Sequence, residues 1–357
     1  MKLPFWVRAW IPHSWRPSVR AVCRAVRVWR NRVAVARAFR RDASRFVASA
    51  VATRRIPSRG NLRAMILMYA HGIEKGLSLP ATRPFFGVAT VEALMAFLDE
   101  YRERFGCDEF HECGRSALAA YRQFSQPFAP ESDAAARTWA RLEAWHRCAA
   151  AVGPEGLHCG SRLLRGEELQ AKGSIAPDFF LSRHSIRQFS HRPVSPERIE
   201  RAVDWAVRSP SVCNRQAWRV KWVRDLALAR RIQEVAGGAR GFGEEAGELL
   251  LITADLSAFY DERERNQAWI DGGLFTMSML YALHAQGLGA CCLNCCLSGD
   301  AERELRAAIP MPITEVFIAR IVTGHYPEEV RVAISPRLDS KRILAVVLRA
   351  GGTMEAL

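Results

Sequence analysis

The stretch that most constrains the fold is "NQAWIDGGLFTMSMLYALHAQ", residues 266–286. It contains no proline, and its apolar residues fall on nearly every side of the helix that the pattern predicts. Such a helix cannot lie on a wet surface, because most of its faces would expose apolar side chains to water. Residues 266–286 therefore predict a helix buried between layers of structure or between two subunits.

Patterns typical of strands lie on both sides of this helix in the chain. One stretch alternates apolar and polar residues and two are apolar runs: "WRVKWVRD" (218–225), "GELLLITAD" (247–255) and "TEVFIARIVTGHY" (314–326). "PERIERAVDWAVRSP" (196–210) predicts an amphipathic helix capped by Ser195 and Pro196. Helices that alternate with strands predict an α+β sandwich, which begins near Asp178.

Positive charge is concentrated at one end of the chain. Residues 1–60 hold fourteen arginines and one lysine against a single acid, Asp42, and so account for the whole net charge of +14. The rest of the chain is close to neutral, so we expect no nucleic-acid partner. No apolar run approaches the roughly 20 residues that a bilayer-spanning helix needs.

Between Ser18 and about Arg55 the sequence predicts a basic amphipathic helix, because apolar residues recur every three or four positions and arginines take other faces. One interpretation is attachment to an anionic membrane surface through residues 1–60, with tryptophans as interfacial anchors (Trp6, Trp10, Trp15 and Trp29). Packing on the body or on a partner fits the pattern equally well, and an organelle presequence has a similar composition.

A helical region is predicted to follow the break at "IPSRGN" (56–61) and to cover most of residues 62–170. Within it, "HGIEKGLSLP" predicts the end of a helix capped by Gly76. His71 and Glu74 lie there three residues apart. They are either surface groups near the cap or, if this region folds over a site, part of its lining.

Ten cysteines without a secretory signal ahead of them indicate a reducing, cytoplasmic compartment, with an additional peripheral position on the inner membrane surface if the basic helix binds lipid. Four of them crowd into "CCLNCC" (291–296), where Cys292 and Cys295 have metal-ligand spacing. In a strand, however, neighbouring side chains point to opposite faces, and no second CxxC pair completes a tetrahedral set. We expect small buried apolar residues here and no metal.

Three separated stretches carry groups suited to chemistry. "RHSIRQF" (183–189) offers two arginines that suit a phosphate. "SPSVCNRQAW" (209–218) offers amides that complement the edge of a heterocycle. "GLGACCLNCC" (287–296) is followed about forty residues later by "SPRLDSKRIL" (335–344). Taken singly, the first two are common as solvated arginines and as an Asx-stabilised turn.

In this order and spacing the stretches resemble the nitroreductase family of FMN-dependent oxidoreductases, over about residues 178–345. The family's Arg-[Arg/His]-Ser-x-[Arg/Lys] block is matched at 183–187 and its Gly-Leu-Gly strand at 287–289. Its Pro-Ser-x-x-Asn-x-Gln-Pro-Trp loop is matched at 210–218, with Ala217 in place of proline. The resemblance implies a nitroreductase-like α-β-α sandwich in a domain-interlocked homodimer with two flavins at its interface, preceded here by a helical N-terminal region.

The resemblance also implies roles for single residues. Arg183 and Ser185 would bind the FMN phosphate and ribityl chain, with Arg337 adding a second phosphate charge. Arg187 would face the pyrimidine edge and stabilise negative charge there in the reduced flavin. The backbone near Asn294 would approach flavin N5. The residues expected to reach the partner subunit's flavin are Pro210, Ser211 and Asn214, and the implied cofactor set also contains His184, Gln216 and Cys295. No catalytic residue is nominated.

The chain therefore divides into a basic extension (1–60), a mostly helical region (61–175) and an FMN-binding domain (176–357). We expect an FMN-dependent oxidoreductase working between NAD(P)H and a small organic substrate. Its element His-x-Ile-Glu-Lys-Gly-Leu-Ser resembles nitroreductase-like proteins associated with bacterial surface-polysaccharide synthesis. The alternative is a flavin-free scaffold or binding module on a membrane surface, since several positions depart from the family pattern (Val212, Cys213, Ala217 and Ser335).

Overall fold

Two groups of elements make up the computed structural model, a helical N-terminal region and a sheet-containing C-terminal module. The residues described are 16–79, 82–148, 159–161, 176–239, 248–295, 297–330, 332–333, 337, 340–346 and 355–356. Among the helices in these ranges, none combines the length and the apolar content that spanning a bilayer requires.

The N-terminal region is helical, as its periodicity predicts. Its helices are α1 (Arg16–Ser49), α2 (Arg59–Leu77), α3 (Val88–Phe105), α4 (Glu109–Ser125) and α5 (Asp133–Cys148), with a 3-10 turn at Val51–Thr53. Leu62, Ile66 and Leu98 belong to a fully buried core that α2, α3 and α4 share. Apolar positions repeat at helical spacing on each of these helices, so burying one face of each forms a single core.

Three predicted helix boundaries need correction. The basic helix ends at Ser49, not near Arg55, and a 3-10 turn follows it. The break at 56–61 ends earlier, because the Ser58 side chain accepts the Asn61 N–H in a capping box and α2 has already begun at Arg59. At the other end, α2 continues through Gly76 to Leu77, and Ser78 is the C-cap. Gly76 is buried inside the helix, where the Phe86 ring occupies the space that a side chain would need.

The C-terminal module contains a four-stranded antiparallel sheet in the order β1-β2-β4-β3. Its strands are β1 (Trp218–Val223), β2 (Glu248–Asp255), β3 (Leu288–Asn294) and β4 (Glu315–His325). Trp218 lies opposite Ala254, and Leu288 lies opposite His325. A separate pair, β5 (Ala345–Val346) and β6 (Glu355–Ala356), follows.

Helices cover both faces of this sheet, which confirms the predicted α+β sandwich. They are α6 (Asp178–Leu181), α7 (Pro196–Ala206), α8 (Leu226–Ala236), α9 (Gln267–Ala285) and α10 (Gly299–Ala308), with 3-10 turns at Val212–Asn214, Leu256–Ala258, Glu262–Glu264 and Ser340–Arg342. On one face α7 and α9 share a core with Leu250. On the other, α8 and α10 pack with Leu249 and Leu251. Consecutive residues of β2 thus pack into the cores on opposite faces of the sheet.

The apolar helix α9 is only partly covered within one chain. Phe275, Met279 and Leu283 are fully buried against the sheet. Ile270 on another face is 52% exposed, and Leu274 is 45% exposed. The predicted burial between layers is therefore confirmed for one face of the helix, and another face remains open.

The two groups of elements contact each other through the start of α2. Asn61 Nδ2 donates to the carbonyls of Ser49 and Ser257, each at 2.9 Å. Ala64 shares a buried cluster with Phe259. This places the helical region directly behind the loop that contains Val212–Asn214, since Val212 packs on the same cluster.

Candidate functional site

The arginine block (residues 183–187) lies beside the edge strand β3. Ser185 forms a parallel bridge with Ala290, and the Ile186 N–H donates to the Ala290 carbonyl at 2.9 Å. The free edge of an outer strand offers unpaired backbone groups, and here the block satisfies part of them. This pairing brings together the block and the start of "CCLNCC", which are about 100 residues apart in the chain.

Two apolar anchors fix the block on the sheet. Ile186 and Phe189 are buried in the core that α8 and α10 share with the sheet. A Cβ at Gly289 would lie 2.9 Å from Ile186 Cγ2, and one at Gly324 would lie 2.9 Å from Phe189 Cδ1. Only glycine admits such close packing, so the two glycines and the two anchors set the backbone path. Arg187, between the anchors, is exposed.

A small pocket opens at the start of the block. Its lining residues are Arg183, His184, Leu280, His284, Leu288, Ala290 and Tyr326. None of these is an acid, so the pocket is electropositive with an apolar floor. Burial lowers the pKa of His284, with the positive charges of Arg183 and His184 acting in the same direction. A neutral imidazole is expected at neutral pH, and Arg183 supplies the permanent charge, which suits an anionic group.

The cysteines of β3 alternate as the strand pattern predicts. Cys291 is buried and Cys292 is exposed. Burial raises the pKa of the Cys291 thiol, although Arg187 and Arg183 act in the opposite direction. A thiol that holds its proton is a poor metal ligand. In the part of the chain that the structure describes, which omits Cys296, no cluster of three or more His, Cys, Asp or Glu side chains is arranged for a metal.

The loop at residues 210–216 (the cofactor loop) adopts an unusual backbone. Cys213, Asn214 and Gln216 have φ values of 48°, 52° and 49°. Asparagine tolerates this left-handed region, but cysteine and glutamine rarely enter it. Strain of this kind persists only where surrounding contacts enforce it, and it is concentrated at functional sites.

Polar contacts enforce the shape of the cofactor loop. The Gln216 N–H donates to Ser211 Oγ at 3.1 Å, and the Val212 N–H donates to Asp271 Oδ2 at 3.2 Å. Arg215 donates to the Val212 carbonyl and pairs with Glu264 at 2.5 Å, with its side chain almost wholly buried. These bonds leave the Asn214 side chain exposed to a ligand or a partner.

Asp271 was not singled out in the sequence, yet it connects the cofactor loop to α9. Its carboxylate accepts from the Gln267 side chain at 2.7 Å as well as from Val212. Burial raises the pKa of this carboxyl even though both hydrogen bonds act to lower it. The only signal in the sequence is an acid inside an otherwise apolar helix.

The arginine block and the cofactor loop lie at opposite ends of α9. The loop contacts Asp271, whereas the pocket is lined by His284. Thirteen helical residues separate these two contacts, which corresponds to about 20 Å. Within one chain the structure therefore does not bring the two predicted groups of site residues together.

A buried arginine that the sequence analysis missed supports the end of β3. Arg320 is fully buried and donates from Nε to the Asn294 carbonyl at 3.1 Å and from Nη2 to the Gly237 carbonyl at 2.6 Å. Burial lowers its pKa. The signal was a single cation inside the apolar run "VFIARIVTG". Arg320 thus holds the backbone at Asn294, one of the predicted cofactor positions, at the end of β3.

The remaining candidates have more peripheral positions. Arg337 is exposed, and Ser335 lies outside the described residues. His71 Nδ1 is 3.4 Å from Glu74 Oε2, while Glu74 Oε1 accepts the Gly160 N–H at 3.1 Å. Glu74 thus ties residues 159–161 to α2.

Comparisons with known proteins agree with the motifs. A family model described as "Nitroreductase family" matches residues 181–239, which contain the arginine block and the cofactor loop. A protein from Thermus thermophilus named "NADH dehydrogenase" is 30% identical over 180 residues, which cover 42% of this chain and 85% of that protein.

A second relative, from Archaeoglobus fulgidus, is named for NADH dehydrogenase and NAD(P)H nitroreductase activity. It is 28% identical over 155 residues, covering 42% of this chain and 83% of the relative. Among solved structures, a protein from Desulfovibrio desulfuricans described as a nitroreductase in complex with FMN is 24% identical. That comparison has a TM-score of 0.41 and covers 48% of this chain and 96% of the other.

Proposed function

The chain belongs to the nitroreductase family, and from that premise we propose that it is an FMN-dependent oxidoreductase working between NAD(P)H and a small organic acceptor. The relatives named for NADH dehydrogenase and NAD(P)H nitroreductase activity support this reaction class. The observation that carries the proposal is the pairing of Ser185 and Ile186 with Ala290, which sets the arginine block beside β3.

The donor set fits FMN. Among the described residues that line the pocket beside β3, Arg183 and His184 are basic and none is an acid. A phosphate group needs such a cation. When bound, FMN supplies the two-electron redox chemistry that protein side chains lack.

Each part of the chain then has a distinct task. Arg183 and Ser185 would bind the phosphate and ribityl chain, with Arg337 adding charge from the C-terminal segment. Arg187, exposed between two buried anchors, would offer a positive charge to the pyrimidine edge and favour the reduced flavin. The backbone at Asn294, held by Arg320, would lie near the redox-active part of the ring. Water can protonate the product, so no side chain is assigned as an acid or base.

A second copy of the chain completes the site in this proposal. The cofactor loop and the arginine block are about 20 Å apart along α9, and the open face of α9 carries Trp269, Ile270 and Leu274. A two-fold axis across this face would bring the loop of one chain to the block of the other. It would also remove the exposed apolar side chains from water.

A single charge on the open face tests the dimer. We expect Ile270→Glu to give a monomer that has lost most of its bound FMN, because a carboxylate would be buried without a partner. Ile313→Glu is the matched control, since Ile313 is 70% exposed in the segment before β4. Light scattering and flavin absorbance measure both effects. A monomeric Ile270→Glu protein with full FMN content would contradict the proposal that a second copy completes the site.

The enzyme itself is tested by colour and bleaching. Purified protein should show flavin absorbance, and NADH or NADPH should bleach it under anaerobic conditions. An electron acceptor such as a quinone or nitro compound should then restore the colour. Colourless protein that takes up no added FMN would instead support the alternative, a flavin-free scaffold or binding module with this fold.

We infer a role in surface-polysaccharide or other specialised biosynthesis from the element His-x-Ile-Glu-Lys-Gly-Leu-Ser at 71–78. In the structure this element lies in the last turns of α2, which begins behind the cofactor loop. Deleting the gene and identifying the compound that accumulates would test this role. A deletion strain with unchanged surface polysaccharide would contradict it.

A further inference from the structure

Within the part of the chain that the structure describes, most of α1 packs on no other element. None of the side chains from Ser18 to Arg45 is buried. Contact with the body begins at Arg41, whose guanidinium lies against Gly299 at the start of α10, and continues at Phe46 and Ala50, which share a buried cluster with Phe259. Arg45 also pairs with Glu302 on α10 at 2.7 Å. The helix is thus docked by its C-terminal turns, and about 40 Å of it extends beyond them.

One side of this extended helix is apolar and open. Trp29 is 65% exposed, Val22 is 62% exposed and Phe39 is 72% exposed. At 100° per residue, these side chains fall within one half of the helix circumference, together with Val26 and Val33. Arg32 and Arg40 share this half, and their long side chains can carry the charge to its edges. An apolar face of this length left in water is costly and indicates an interaction surface.

The opposite side is strongly basic. Residues 16–49 contain ten arginines and one acid, Asp42. Arg20, Arg24 and Arg27 lie on the side away from Trp29, and all three are exposed. The helix therefore joins a mainly apolar half to a cationic half over about five turns, from Arg20 to Phe39.

An anionic membrane surface suits both halves of the helix. A second copy of α1 would bring two strongly positive helices together, at a high electrostatic cost. A nucleic acid would satisfy the arginines but would leave the apolar face in water. The interface of an anionic bilayer accepts apolar side chains among the acyl chains and arginines among the headgroups.

We propose that α1 lies in the plane of an anionic lipid bilayer and holds the protein at the membrane surface. Its apolar half, including Val22, Trp29 and Phe39, enters the acyl region, and its arginines contact the lipid headgroups. The docked turns at Phe46 and Ala50 then keep the body close to the bilayer. This proposal does not depend on FMN binding.

Co-sedimentation with vesicles tests the proposal. The full-length protein should pellet with phosphatidylcholine vesicles that contain about a quarter phosphatidylglycerol, and much less with phosphatidylcholine alone. The key variant is Trp29→Asp, with Asn31→Asp as its matched control. Both add one negative charge at an exposed position, but Asn31 lies among Arg20, Arg24 and Arg27 on the basic side.

The two variants separate charge from insertion. Asn31→Asp should weaken binding about fivefold, as expected for the loss of one unit of positive charge. Trp29→Asp should weaken it at least about fiftyfold, because it also removes a large apolar side chain from the acyl region. Circular dichroism and thermal unfolding check that both proteins stay folded.

Several results would overturn the proposal. Equal effects of the two variants would show that the apolar face does not enter lipid. Full-length protein that stays in the supernatant would show that α1 does not bind this bilayer. An assembly larger than a dimer that Trp29→Asp disrupts would assign the face to a second copy. A further result would assign the helix to nucleic acid. In that case the protein would bind an RNA oligonucleotide and not the vesicles, and both variants would weaken RNA binding equally.

Discussion

The arginine block and the cofactor loop reach their conformations by opposite means. The block is fixed by backbone pairing to Ala290 and by two buried apolar anchors, Ile186 and Phe189. The cofactor loop has three non-glycine residues at positive φ and is fixed by polar side chains, chiefly Asp271 and the Arg215–Glu264 pair. The supports of the two regions therefore differ in kind.

The difference indicates how each region should respond to change. Apolar anchoring is non-directional, so the arginines of the block can be altered without moving its backbone. A polar network in a buried setting depends on each donor and acceptor, and on the protonation of Asp271. The cofactor loop should therefore be the more sensitive of the two to pH and to conservative substitution.

The largest effect is expected from removing charge in the block. Arg183→Met should lower FMN affinity about 100-fold, because charge-assisted hydrogen bonds to a phosphate are lost. The stability of the FMN-free protein should not change, since the anchors Ile186 and Phe189 remain. Arg201→Met, an exposed arginine on α7, is the control. Fluorescence titration with FMN measures the affinity. Equal affinities for the two variants would place the phosphate elsewhere.

A smaller effect is expected from replacing Arg320, which supports the end of β3. Arg320→Met should lower the free energy of unfolding by about 2 kcal/mol, because the carbonyls of Asn294 and Gly237 lose their buried donor. Arg320→Lys keeps a donor, so its free energy of unfolding should lie between those of the unchanged protein and of Arg320→Met. Urea denaturation gives the values. An unchanged free energy for Arg320→Met would show that water replaces the guanidinium at this turn.

Removing a polar contact of the cofactor loop should have a still smaller effect. Asp271→Leu should lower FMN affinity about tenfold, because the strained backbone loses the acceptor for the Val212 N–H. Asp271→Asn keeps an acceptor and should bind FMN almost as the unchanged protein does. The same titration applies. If both substitutions had the same effect, the charge of Asp271, and not its hydrogen bond, would support the loop.

The smallest effect concerns pH. Burial raises the pKa of Asp271 in the folded protein above its ordinary value of 3.8. A proton is then held more tightly in the folded state, so this contribution to stability is present below pH 3.8 and is lost as pH rises through the raised pKa. Relative to Asp271→Asn, the unchanged protein should therefore lose stability between pH 4 and pH 7. Urea denaturation of both proteins at pH 4 and pH 7 measures this loss of stability. A difference in the free energy of unfolding between the two proteins that stays the same at both pH values would contradict the prediction.

The sequence alone determined the main elements and their order. Periodicity and caps predicted α1, the helical region, α7, α9, β1, β2 and β4, because spacing along the chain decides which face of one element is apolar. The family resemblance added β3, and the motifs predicted which stretches suit phosphate and heterocycle recognition. Short elements such as α8 and α10 were not predicted, and the end of α1 moved to Ser49.

Only the tertiary structure decided how these elements meet. It placed the arginine block on the edge of β3, separated it by the length of α9 from the cofactor loop, buried Arg320, and left the apolar side of α1 open. Such facts depend on contacts between residues far apart in the chain, such as Asn61 with Ser257. Spacing within a segment says which side must be covered, but the partner that covers it is set by the packing of the whole chain.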